Sequence, residues 1–596
     1  MKKLYQLLLP VLAFSLAPAI ASAQSPPVEQ GGGSFRPQCP PATLRHPGGT
    51  DTTHTTVNPT PESAEVPYTG PVVRTATQDP SGTHTFPALT IVDNGGAIKC
   101  QQISGGDGLM TEADGNQTYL FAFGPLSGLN AIENGLSTGG TQFPATFNKP
   151  YCDPARPNYN SGNPNPNFDT GTGKCIAGTD PNGAVGYLSV NLGSPATATL
   201  ATDAAAIMNT GVLNGNIPAP LFSFDEDDEF IMTLSNVGMI MRPDLFEQHT
   251  VHFHGYPNAS SFYDGVPDAS LAINIGGSFA YYYWAPDAGT YFWHCHITPP
   301  EHLQMGMVGQ LYVRPRQNRL MDGTDPYVAS TQYEEADLRT ACKNTGAAWS
   351  ASVNGGVPPD ILCSAPQPAT DVHFMHHTGY KYIYNDGDGS TRYDKDYPIQ
   401  IHGFDPNFHF VGMTFNPEGF SDMKDKYFLL NGRSYPDTVG VAGGPADVLG
   451  DLASATNPSP TTHAITTNGT DTMDRPSQPL PSLITLSKTG GPGGIPERAA
   501  LRFADLDVQE YQTLSSVGIP MLMVGFNAKI LRDQAGNNLY VKTNSITLGG
   551  GESLDVIIDS ADVPPGTYFL YTPQLDHLSN DAENFGGLMT EVVVTP

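Results

Sequence analysis

Basic residues are scarce in this 596-residue chain. Lys and Arg together number 28 against 58 Asp and Glu, a formal net charge of −30. That balance disfavours nucleic acid and anionic membrane surfaces as partners. Charged residues of both signs make up only 14%, too few for coiled coils or helices laced with ion pairs. Beyond the N-terminus no hydrophobic run is long enough to cross a bilayer, so no transmembrane anchor is expected. Cysteine is sparse, with seven in all.

Glycine and proline are abundant, at 64 and 54 residues. Together they are well above their usual share of about 12%. Such punctuation predicts short strands joined by long loops. Residues 1–23 read as an export signal: Lys2 and Lys3 lead an apolar run from Leu7 to Ile20, broken by Pro10 and Pro18, then Ala21-Ser22-Ala23. The expected destination is the periplasm, the cell surface or the medium. Residues 24–85 read as an extended arm rich in Pro, Gly and Thr.

In an oxidising compartment an odd cysteine count leaves one thiol over. Proximity suggests Cys152 with Cys175, Cys342 with Cys363, and Cys39 with Cys100. Cys295 remains, set between His294 and His296 in a strand-like run.

Strand patterns at 118–123, 230–234, 249–254, 279–284, 290–295 and 307–313 predict an antiparallel sandwich over 86–315. Residues 316–370 form a loose connection. A second β-rich region, 371–596, is expected to hold strands at 380–384, 499–503, 521–524, 553–558 and 567–571. Gly289-Thr290-Tyr291-Phe292 reappears as Gly566-Thr567-Tyr568-Phe569, a weak internal duplication.

The chemistry concentrates in residues 249–307. In His249-Thr250-Val251-His252-Phe253-His254-Gly255 a period of two sends His252 and His254 to one face and His249 to the other. His294 and His296 share a face while Cys295 points away. With His302 and Met307, one side collects His249, Cys295, His302 and Met307. The other collects His252, His254, His294 and His296. Two imidazoles, a thiolate and a weak axial thioether are the donor set of a blue-copper centre, and four further imidazoles suit more copper.

These segments, with Asn214-Gly215-Asn216-Ile217-Pro218-Ala219-Pro220, resemble the multicopper oxidase family. The resemblance is strong over about 205–313. It is fainter at Leu430-Asn431-Gly432-Arg433, at Gly551-Glu552-Ser553-Leu554-Asp555-Val556 and at the Gly566 strand. It implies an all-β protein of two cupredoxin-like Greek-key sandwiches with long loops and an extended N-terminal arm. It also implies copper as cofactor, with type 1 copper on His249, Cys295, His302 and Met307, and half of a trinuclear cluster on His252, His254, His294 and His296. The implied activity is one-electron oxidation of a phenolic donor, or of a metal ion such as Mn(II), Fe(II) or Cu(I), coupled to dioxygen reduction. A nitrite-reductase-like enzyme and an electron-transfer protein with only the blue site remain open.

Two departures stand out. Six residues separate Cys295 from His302, against four in the common laccase pattern, with Pro299 and Pro300 in the lengthened loop. Aligning Ser515-Ser516-Val517-Gly518 with the His252-Phe253-His254-Gly255 strand, and Tyr571-Thr572-Pro573 with His294-Cys295-His296, finds none of the missing histidines. A homo-oligomer is one way to complete the cluster. His373, His376, His377, His402, His409 and His577 are expected in core or surface roles.

Among weaker signals, Asp225-Glu226-Asp227-Asp228-Glu229 is expected to be a solvated turn. Met239, Met241 and Met305 read as packing or as a Cu(I) route. Glu247 and Glu301 are placed to orient imidazoles or to shuttle protons, and Asp264 to form a turn or to act near the oxygen site.

Overall fold

A computed structural model describes the chain at residues 98–111, 117–126, 204–319, 373–439 and 482–596, the last three with short breaks, besides small pieces before 204 and between 323 and 370. The signal segment falls outside these residues, as do Cys39, Cys152, Cys342 and Cys363 of the expected cysteine pairings; Cys100 is described, buried and disulfide-bonded. Within the arm lies a short antiparallel hairpin, Thr75–Gln78 with Thr85–Ala88.

The described residues form two β-sandwiches. In the first, β1 (Ile98–Thr111), β2 (Gln117–Pro125), β4 (Glu229–Gly238) and β6 (Ser278–Trp284) make one sheet in the order β6-β4-β1-β2. The facing sheet has the order β3-β8-β7-β5, built from β3 (Phe222–Asp225), β5 (His252–His254), β7 (Gly289–His294) and β8 (Val308–Arg314). Phe230, Met232 and Leu234 alternate along β4 into a core shared with Phe222, Phe253, Trp293 and Leu311 of the opposite sheet. Trp293 stacks on Phe222 at 4.7 Å and Phe123 at 5.1 Å. Such ring pairs add about 0.5–1.5 kcal/mol each beyond the apolar area they bury.

The second sandwich packs Tyr427–Leu430, Lys395–Phe404, Arg498–Asp505, Ser553–Asp559 and Met521–Phe526 against Ile484–Ser487, Met589–Thr595, Gly566–Tyr571, Gln512–Val517 and Ser545–Leu548. Ile399, Leu501, Val556, Leu570 and Val592 fill its core. Its frame repeats that of the first. His252 pairs with His294 and His254 with Phe292; Ser515 pairs with Tyr571 and Val517 with Phe569. Gly255 and Gly518, which follow the two short strands, both take positive φ, 69° and 79°. The duplication expected from the Gly289 and Gly566 runs is therefore matched in strand register.

Alternation along β7 decides what each sandwich sees. Tyr291, Trp293 and Cys295 enter the first core. Thr290 and Phe292 face the second sandwich: the Thr290 hydroxyl donates to Asp555 at 2.6 Å, and Phe292 packs with Ala504 and Leu506. Gln310 and the fully buried Arg502 add further bonds across this seam.

The acidic run is not the solvated turn expected of it. Asp225, Glu226, Asp228 and Glu229 are all buried. Asp225 receives a bidentate pair from Arg314 at 2.9 and 2.8 Å, Glu226 accepts from the Arg316 backbone, and Tyr282 donates to Glu229. The correction has a simple cause: buried carboxylates persist where cations and N–H groups satisfy them, and those partners lie up to 90 residues away. Among the methionines, Met239 and Met305 are core packing.

Candidate metal centre

The structure gathers the expected ligands into two groups. Ligand atoms of His249, Cys295 and His302 lie within 4.8 Å of one another, as do those of His252, His254 and His294. His296 adjoins the second group, its ring centroid 5.2 Å from that of His252 and 5.6 Å from that of His294.

The first group is wholly buried. His249 enters beside β5 through a bridge to Ile273. Cys295 follows β7 directly, its N–H donating to the Met307 carbonyl. His302 comes from a short helix, α1 (Pro299–Gln304), which begins on two prolines. Proline suits a first helical turn because the N–H it lacks would have no partner there. The residues read as a lengthened loop therefore wind into a helix that returns His302 Nδ1 to 3.2 Å from Cys295 Sγ. Met307 is also buried, and a Cβ on Gly105 would stand 2.8 Å from the His249 ring and 3.5 Å from the Met307 methyl. The missing side chain at Gly105 makes room for both.

The thiol is tuned by its neighbours. Burial opposes ionisation of Cys295, but the charge and hydrogen bond of His302, with backbone N–H groups of Thr250 and Ile297, bring its pKa below the ordinary value. His302 responds in kind. Burial works against its charge, yet Cys295 and Glu247 push it up to about 10. The Glu247 carboxylate stands 3.4 Å from His302 Nε2.

Both ring nitrogens of His249 are buried without a hydrogen-bond partner. A polar atom left so costs on the order of 1–3 kcal/mol, and a metal ion supplies the missing partner. A free thiol, two imidazoles and a nearby thioether fit copper better than zinc, whose structural sites close on four strong ligands.

The second group faces outward from the first sandwich. His294 is 5% exposed, its side chain held by a bond from Nδ1–H to the Cys295 carbonyl at 2.7 Å. His252 Nδ1 is likewise bonded to the Asp264 carbonyl at 2.7 Å. Fixing Nδ1 as donor leaves Nε2 of each ring free for a metal. Asp264 thus serves chiefly through its backbone, at the end of a short turn.

Thr250 was not singled out from sequence, yet it touches both groups. Its N–H points to Cys295 Sγ at 3.4 Å and its hydroxyl accepts from the His296 N–H at 2.9 Å. Only its position between His249 and His252 hinted at this.

Among the described residues, the second sandwich brings no histidine to either group. Its strand positions equivalent to His252, His254 and His294 hold Ser515, Val517 and Tyr571. His402 and His409 bond to the carbonyls of Leu303, Tyr119 and Gln304, His577 to Gln512 and Glu510, and His376 to Tyr382.

The sequence profile of the multicopper oxidase family matches residues 197–318, the stretch that carries every ligand above. Over these residues the chain is similar to the multicopper oxidase family. Relatives include multicopper oxidase MCE of Talaromyces pinophilus, 32% identical over 22% of this chain and 20% of its own length. Laccase abr2 of Aspergillus fumigatus is 33% identical over 18% and 17%. The chain thus spans about a fifth of the length of these curated relatives. Among solved structures, the blue copper oxidase of Nitrosomonas europaea is 18% identical, with a TM-score of 0.37, over 64% of this chain and 78% of that one. Within the multicopper oxidase match, copper is the implied metal, and the donor set just described fits it.

Proposed function

We propose that this protein is an exported, copper-dependent oxidoreductase that takes electrons singly from a phenolic or metal-ion donor and delivers them to dioxygen. The carrying observation is the alternation at residues 294–296. Cys295 belongs to the buried thiolate group, while His294 and His296 on either side adjoin the imidazole group. One strand end thus joins the two groups by a few covalent bonds. Copper bound at the two groups supplies one-electron redox chemistry and the capacity to reduce dioxygen.

The protein's own residues set the conditions. The buried surroundings of His249, Cys295 and His302 exclude water and hold the donors in place, which keeps reorganisation on electron transfer small. The Thr250 N–H draws charge from the Cys295 sulfur. Glu247, a quarter exposed beside His302, gives a cationic or hydroxyl-bearing donor a point of attachment next to the buried group. The division into a copper-bearing unit at 86–315, a linker at 316–370 and a second unit at 371–596 belongs to the same proposal, as do the cysteine pairings.

Copper analysis with absorption and EPR spectra, followed by oxygen uptake on the copper-loaded protein, tests this reading. An intense thiolate band together with donor-dependent oxygen consumption is expected. The band without oxygen uptake would replace the reading with electron transfer, and nitrite turnover in the absence of oxygen would replace it with nitrite reduction. Absence of the band would overturn it.

A further inference from the structure

The helix α1 is tied to the second sandwich at its last two residues. Gln304, fully buried, donates from its side-chain nitrogen to Asp425 Oδ1 at 2.8 Å, and His402 meets the Leu303 carbonyl at 3.2 Å. Asp425 is itself buried, and its second oxygen, Oδ2, has no hydrogen-bond donor. What faces that oxygen is another buried acid. Gly403 lies so close to both side chains that a Cβ there would collide with Oδ2 of Asp425 and with Oδ2 of Asp507.

Asp507 is well supplied with donors. Its Oδ1 accepts from the Gln509 N–H at 2.8 Å and its Oδ2 from the Gln512 side chain at 2.5 Å. That set suits the charged form, so a proton between the two acids belongs on Asp425 Oδ2, directed at Asp507. Burial, and next the charge of Asp507, hold the Asp425 carboxyl well above the usual range. The other titratable groups facing the pair are Asp405, His402 and Asp505, the last with an unpartnered oxygen of its own. Lys424 and Lys426 flank Asp425 in sequence, but among the described residues no cation pairs with either acid. Asp507 and Leu303 both line a cavity of about 510 Å³, which gives solvent base access to the pair.

We propose that one proton shared by Asp425 and Asp507 latches the second sandwich to α1, making these two acids positioning residues for His302. With the proton in place, Asp425 stays under Gln304. When the Asp425 O–H bond breaks and the proton passes to base in the cavity, two like charges face each other out of water. Asp507 is the better anchored, so Asp425 swings away and the support of Gln304 goes with it. The end of α1 then loosens, and His302 with it. The latch belongs to the polypeptide and does not rest on the oxidase reading.

Native-state hydrogen exchange on the full chain, read by mass spectrometry over peptides spanning 299–307, tests this from about pH 5 to about pH 9, after correction for intrinsic exchange. Protection of α1 should fall roughly tenfold across that range, as for loss of one hydrogen bond, while the core strand Ser553–Asp559 changes little. Asp425→Asn, whose amide N–H stands in for the proton, should keep the low-pH protection throughout. Gln304→Met, which removes the tie at similar volume, should exchange at the faster level at every pH. A flat wild-type profile would overturn the inference. So would a slope that persists in Asp425→Asn, which would assign the titration to Asp505, or an equal loss in Ser553–Asp559, which would assign it to global stability. Should Asp425→Asn fail to fold, a wild-type slope retained in Gln304→Met would overturn the inference equally. Copper plays no part in this readout, so failure of the oxidase reading leaves the result standing.

Discussion

Thr250 is tied to the thiolate group through its backbone and to the imidazole group through its hydroxyl, so the two ties can be cut apart. In Thr250→Val the N–H to Cys295 Sγ survives while the acceptor for His296 is lost. The thiolate band should keep its position, the type 2 EPR signal should change, and stability should fall by about 1 kcal/mol. Absorption, EPR and thermal melts on one sample decide it. At Gly105 the sensitivity reverses. A single methyl there presses on the His249 ring at 2.8 Å, so Gly105→Ala should disturb the thiolate band and cost about 1–3 kcal/mol, as overpacking does. An unaltered spectrum would mean that His249 can step aside. The clustering of the candidate donors was legible because ligand chemistry uses few residue types at tight spacing. Thr250 and Gly105 were not, since a hydrogen bond to sulfur and an empty volume leave no signature in composition.

The helix Pro299–Gln304 is the element on which His302 depends, and it is pinned from the second sandwich. Gln304 donates to Asp425 at 2.8 Å, while His402 and His409 sit against the carbonyls of Leu303 and Gln304. Burial, and next the charge of Asp507, hold the Asp425 carboxyl well above the usual range. The folded protein therefore keeps a proton that the unfolded chain gives up, and this group's stabilising contribution declines as pH rises above the ordinary carboxylate range. Asp425→Asn retains the acceptor for Gln304 and cannot ionise. It should flatten that decline and raise the melting midpoint by a few degrees at about pH 8, with little change at about pH 4. Melts across that range check it, and equal pH slopes for the two proteins would count against the assignment. Alternation made the strands around His252 and Cys295 readable from sequence. The strand Ile98–Thr111 was not, because Gly105, Gly106 and Gly108 interrupt its apolar pattern where other backbone and His249 come close. The helix was hidden by its two prolines, which read equally as loop.

Across the whole molecule, the sandwiches share a seam of buried polar bonds. Thr290 meets Asp555, Gln310 meets Arg502, and Arg502 stacks over Tyr312 at 4.4 Å. Bonds of this kind lose their value if only one side unfolds, so a single calorimetric transition is expected for the two sandwiches together. Arg502 is also paired with Asp396 and Asp555. Arg502→Ala would leave both carboxylates buried without their cation, Asp555 keeping only the hydroxyls of Thr290 and Tyr384, costing about 3–5 kcal/mol, and should split the transition in two. Two transitions in the wild type would instead mean that the seam carries little energy. The duplication was visible in the sequence as two short glycine-led runs. Which face of the second copy meets the histidines was not, because contacts between distant segments leave no local periodicity to read.

Matched register makes the two sandwiches a built-in control for each other. One copy of the frame has histidine at positions 252, 254 and 294, while its counterpart has serine, valine and tyrosine there. Val517 is half exposed, so the counterpart face has room for new side chains without disturbing a core. The molecule thus carries its own comparison: one frame with three imidazoles clustered at its strand ends, and a second in the same register without them. Writing histidines into Ser515, Val517 and Tyr571 would ask whether three side chains are enough to bind metal on that frame.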